Sequence, residues 1–63
     1  MKWAQIYEGV IVGTKGEQRA MLVTFSYRVH ICLMTDYGWL ALEETTDNVD
    51  AAREIVEQIF GKD

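Results

Sequence analysis

From Ala20 to Met34 apolar and polar positions alternate almost without a break. Met21, Val23, Phe25, Tyr27, Val29, Ile31 and Leu33 fall on one side, and Leu22, Thr24, Ser26, Arg28, His30, Cys32 and Met34 on the other. Successive side chains of a strand point to opposite faces, so a period of two predicts an extended strand with one apolar face. No glycine, proline or asparagine interrupts the run, and the pattern predicts one long strand over residues 18–34. Ser26-Tyr27-Arg28 is a possible break, but its turn chemistry is weak.

On either side the pattern is shorter. Residues 3–12 predict a first strand, with Ala4, Ile6, Val10 and Val12 on one face and Trp3, Tyr7 and Ile11 on the other. Gly9 inside it suggests a bulge or a close backbone approach. Gly13-Thr14-Lys15-Gly16-Glu17 then predicts a hairpin loop of about five residues. After the long strand, Thr35-Asp36-Tyr37-Gly38 suits a type I turn closed by a left-handed glycine, and residues 39–43 form a short third strand.

From Asp47 the period becomes helical. Val49, Ala52, Ile55, Val56, Ile59 and Phe60 make one apolar stripe, while Asp50, Arg53, Glu54, Glu57 and Gln58 face away. Asp47 or Asn48 can cap the first turn, and Gly61 is placed to end the helix. The fold class expected is therefore α+β: a three-stranded antiparallel β-meander with a long central strand and one C-terminal helix packed on its odd-numbered face. The chain, residues 1–63, reads as one small domain.

The lengths in this scheme do not match. A helix of about 12–14 residues spans about 20 Å, whereas an unbroken strand over residues 18–34 spans about 50 Å. Either the strand bends, or it breaks in two, or a second copy covers the remainder. Size favours the second copy. Natural domains below about 70–80 residues usually need a disulfide, a metal or a partner. Cys32 is the only cysteine and His30 the only histidine, so neither an internal disulfide nor an all-protein metal site is expected. A homodimer is the expectation.

One free cysteine suits a reducing, cytoplasmic compartment. The opening Met1-Lys2-Trp3-Ala4 has no charged-then-apolar signal pattern, and no run approaches the roughly 18–20 apolar residues that span a bilayer. The net charge of −4 is uneven: residues 1–42 sum to +1 and residues 43–63 to −5. An acidic C-terminal third disfavours phosphate-backbone binding there and suits a basic protein partner.

The chemistry-bearing residues are sparse. His30 and Cys32, two apart on one face of the long strand, can in principle form an activated nucleophile or half of a zinc site shared between subunits. No orienting third group or oxyanion turn accompanies them, so packed strand positions are the simpler reading. Gly13-Thr14-Lys15-Gly16 lacks phosphate-loop spacing and no helix follows it. Glu43-Glu44 and Asp50/Glu54 show no sign of a cleft. Trp3 and Trp39 suit the ends of a core, whereas Tyr37 at a turn tip is expected to be exposed.

The function expected is that of a non-enzymatic, acidic, protein-binding regulator, inhibitor or adaptor without a cofactor. Its contact residues would be Asp50, Glu54 and Glu57 on the helix, with Tyr37, Glu43 and Glu44. In size, acidity and lack of motifs the chain is similar to small phage-encoded anti-defence and host-takeover proteins. That implies an inhibitor seated on a basic, nucleic-acid-handling surface. Three strands followed by a helix also occur in some antitoxin and RNA-binding folds, an analogy of element order alone. The alternative is a small nucleic-acid-binding dimer that uses its sheet and Lys15, Arg19 and Arg28.

Overall fold

Four two-residue turns set the architecture. The structure, a computed structural model, describes residues 1–61. It comprises β1 (Lys2–Tyr7), β2 (Val10–Lys15), β3 (Gln18–Phe25), β4 (Arg28–Thr35), β5 (Gly38–Thr46) and α1 (Val49–Phe60). The strands form one antiparallel sheet in the order β1-β2-β3-β4-β5. The class is α+β, but the sheet has five strands, which overturns the three-stranded meander.

The extra strands come from two reversals inside runs expected to be continuous. The first predicted strand divides at Glu8-Gly9, where Gly9 has φ of 75° and supplies the turn itself. The five-residue loop shrinks to Gly16-Glu17, while Gly13 sits buried inside β2. The long strand breaks at Ser26-Tyr27, whose φ values of 52° and 63° are both left-handed. Two successive positive φ values are the pattern of a type I′ turn, whose twist matches that of the flanking strands. Neither residue favours that region, so the turn leaves almost no sequence signature. Asp36-Tyr37 follows expectation, with Gly38 at φ 113° closing the reversal.

The hairpin resolves the length mismatch without a second copy, because the strand breaks in two. It also changes which residues share a face. Ala20 pairs with Leu33, Leu22 with Ile31 and Thr24 with Val29. Directly opposed residues point the same way, so even-numbered positions of β3 join odd-numbered positions of β4. The odd face assigned to the whole run is right for β4 and inverted for β3. Leu22, Ile31 and Val56 are the largest fully buried side chains, joined in the core by Ala20, Val29 and Ala52.

The helix lies on this face, against β3, β4 and β5. Asn48, one of the two candidates, is the N-cap: the Ala51 N–H donates to its Oδ1 at 2.7 Å. At the other end the Lys15 ammonium donates to the carbonyls of Phe60 and Gly61, each at 2.9 Å. Ile59, expected in the buried stripe, is 51% exposed. Trp3 closes the β1 side. Its ring lies over Gly13, and the Arg53 guanidinium sits 5.3 Å from its centroid. Trp3 Nε1 and Arg53 Nε are buried there without hydrogen-bond partners among the described residues.

Both edges are irregular. β1 carries a bulge between Gln5 and Tyr7. On β5 the three residues between Ala41 and Thr45, which are Leu42, Glu43 and Glu44, stand against a single residue of β4, Ile31, so the strand bulges there.

Two stability measurements check this reading. Replacing Ser26 by Asn and Tyr27 by Gly together removes left-handed strain at both turn positions and should raise stability by about 1 kcal/mol, seen as a higher urea midpoint at unchanged slope. Gly13→Ala should lower it by about 1–3 kcal/mol, because the new Cβ would stand 2.7 Å from Trp3 Cζ3 and 2.9 Å from Met1 Cε.

Candidate interaction surfaces

Directly paired residues line up as rows across the sheet, and the rows alternate between its two faces. One set lies under α1. The other set has no element over it. Tyr7, Val10, Val23, His30 and Thr45 form one open row. Ala4, Val12, Met21, Cys32 and Ala41 form the next. Phe25 and Arg28 stand beyond the first row, while Lys2, Thr14 and Arg19, with Met34 and Trp39, stand beyond the second.

This open face is apolar at its centre and contains no carboxylate in any of its paired rows. Val10, Val12, Met21, Val23 and Cys32 are half-buried by their neighbours, while Phe25 is 69% exposed. The alternation in the sequence assigns Phe25 to the helix-covered side. The register turns it outwards. No local signal could have found this face, because it depends on the parity change at Ser26-Tyr27.

The three cations considered for nucleic acid do not act together. Lys15 lies on the helix side and caps α1. Arg19 and Arg28 share the open face but stand at opposite ends of their strands, about 20 Å apart at 3.4 Å per residue. Arg28 reaches towards β5, donating to the Thr45 carbonyl at 2.9 Å and to Thr45 Oγ1 at 3.0 and 3.1 Å.

His30 and Cys32 stand on the open side of β4. Val23 and Thr45 flank His30 across the strands, and Met21 and Ala41 flank Cys32. Of these neighbours only Met21 carries a metal-ligating atom, its thioether sulfur, and none is a base. Among the described residues no group of three or more His, Cys, Asp or Glu side chains converges to hold a metal, and no pocket is present.

The acidic residues lie elsewhere. Asp50 and Glu54 are exposed on α1 and Glu57 is half-buried there. Arg53, the one cation within α1, stands over the Trp3 ring. Glu43 and Glu44 are exposed in the β5 bulge, and Tyr37 is fully exposed at the β4–β5 turn. The six proposed contact residues thus sit on three elements: the helix, the edge-strand bulge and a turn tip.

Comparison of the chain with protein-family models, with curated proteins and with solved structures gives no match. No helix among the described residues is long and apolar enough to cross a membrane.

The assignment of Lys15 to the helix cap is open to test by unfolding. Lys15→Met removes two charge-assisted bonds and should cost about 1–2 kcal/mol, lowering the thermal midpoint. Arg19→Met, exposed and without such a bond, should stay within about 0.5 kcal/mol of the parent.

Proposed function

We propose that this chain is a small binding protein that works through exposed surfaces, and that its helix face docks on a basic surface of a larger protein. The observation that carries this reading is the net negative charge of α1. Asp50 and Glu54 are exposed on it, Glu57 is half-buried, Asp47 precedes it, and the only cation of the helix stands over the Trp3 ring. A field of one sign steers an oppositely charged partner and raises its rate of encounter. In this role the chain is a regulator or inhibitor, and a partner that handles nucleic acid supplies the basic surface.

The open face favours a second reading. Phe25 and Arg28 stand side by side across β3 and β4, and aromatic and guanidinium groups on a sheet can stack unpaired bases. The central rows are aliphatic, however, and the cations at the two ends are far apart, so the helix-face reading is the stronger.

The two readings separate in one experiment. Immobilised chain is exposed to nuclease-treated extract of its source cells and eluted with a salt gradient, in parallel with a variant carrying Asp50→Lys, Glu54→Lys and Glu57→Lys. A stoichiometric protein held by the parent, released by salt and lost from the variant supports docking through the helix. Equal retention by both removes the acidic face as the contact. The sheet reading predicts instead that a labelled single-stranded oligonucleotide is retarded at low salt, with affinity falling steeply as salt rises.

A further inference from the structure

We propose that the open face of the sheet is a self-association surface, on which two copies of this chain pack face to face and bury their central apolar rows against each other. This inference goes beyond the acidic-helix reading and does not rest on it, because it concerns the opposite side of the molecule. It also differs in its grounds from a dimer that covers an over-long strand: the β3–β4 hairpin removes that need.

Area is the first argument. The five strands are six to nine residues long. With strands about 4.8 Å apart and about 3.3 Å per residue, they present a face of roughly 600 Å². Two such faces bury about 1,200 Å², which just reaches the range of specific, stable interfaces at about 1,200–2,000 Å². The contact therefore has to use nearly the whole face. A second copy offers a surface of the same outline and the same twist, and twisted sheets pack with their strands aligned to about 30°. A short peptide covering one row would fall well below that range.

Chemistry agrees. The two central rows hold Val10, Val12, Met21, Val23 and Cys32, with Ala4 and Ala41 at the edges; His30, Tyr7 and Thr45 are the polar members of the first row, so apolar groups make up most of the middle of the contact. The cations Lys2, Arg19 and Arg28 stand at the ends of the strands, where a rim stays in water. No carboxylate in the paired rows is forced under cover.

The edges point the same way. An edge strand is the usual alternative route to self-association, and bulges and charges blunt it. β1 is bulged between Gln5 and Tyr7, and β5 is bulged where it carries Glu43 and Glu44. Pairing edge to edge is thereby obstructed, while nothing obstructs the face.

Cys32 lies in the second central row and reports on that face directly. The test combines molecular mass by sedimentation equilibrium with the rate at which a thiol reagent modifies Cys32, for the full chain and for Met21→Lys. The chain should sediment at about twice 7.2 kDa. At about 100 µM its thiol should react about five- to tenfold more slowly than at about 1 µM, since the free monomer fraction of a dimer falls at most as the square root of concentration. Met21→Lys, with its fold checked by far-UV circular dichroism, should sediment at 7.2 kDa and react fast at both concentrations. Should that variant fail to fold, the concentration dependence of the parent decides alone.

A parent chain of 7.2 kDa at about 100 µM with a reactive thiol overturns the proposal. So does a dimer whose Cys32 reacts as fast as that of monomeric Met21→Lys at every concentration, because its interface then lies elsewhere. Protection of a monomer by an added oligonucleotide or a basic protein would give the face a different occupant and equally refute self-association. The variant carrying Asp50→Lys, Glu54→Lys and Glu57→Lys should still dimerise, so failure of the helix reading and failure of this one are separable.

Discussion

Everything in this fold depends on the reversal at Ser26-Tyr27. Two consecutive residues take left-handed φ values there, and the chain turns back after a two-residue loop. Lengthening or shortening that loop by one residue would shift the pairing of β3 with β4 by one and send Leu22 and Ile31 to opposite faces, since side-chain direction has a strict period of two. Those two are among the three largest fully buried side chains, and the third, Val56, reaches them from the helix. The local strain of a non-glycine type I′ turn is thus held in place by the core that it creates.

The same reversal separates the molecule into two unlike sides. The helix covers one face and carries its carboxylates outwards; the other face presents aliphatic rows bounded by cations. Lys15 shows how strict this partition is. Its backbone belongs to β2 and its side chain falls on the covered side, where it closes the carboxyl end of α1. A cation at that end meets both the helix dipole and carbonyls that have no partner within the helix. A residue that reads as surface charge is therefore structural, and the basic character of the sheet rests on Lys2, Arg19 and Arg28.

Some of this was legible in the residues and some was not, for definite reasons. The helix was, because the stripe from Val49 to Phe60 repeats at helical spacing and Asn48 and Gly61 bracket it. So was the Asp36-Tyr37 reversal, because glycine at position 38 marks it. The reversal at Ser26-Tyr27 was hidden: alternation continues through it, since a two-residue loop preserves the period along the chain while reversing the faces. Gly9, flanked by alternating residues on both sides, has the look of a bulge within one strand, whereas its left-handed φ ends that strand. Gly13 was read as turn chemistry, yet its lack of a side chain makes room for the Trp3 ring. The acidic helix face was visible as composition. The open apolar face was not, because it is assembled from rows that cross five strands and exists only once their register is set.

A meander in which each strand bonds to its neighbour in sequence also has a kinetic meaning. Every hairpin closes a loop of two residues, so the ladder can form one step at a time with little chain entropy lost at each. Sheets are slow to fold when their partners lie far apart along the chain, and here none of the ladders does. The distant meetings belong to the helix, whose end joins Lys15 across 45 and 46 residues of separation. Assembly by successive hairpins, followed by docking of α1 over the finished sheet, is the order that this topology makes least costly.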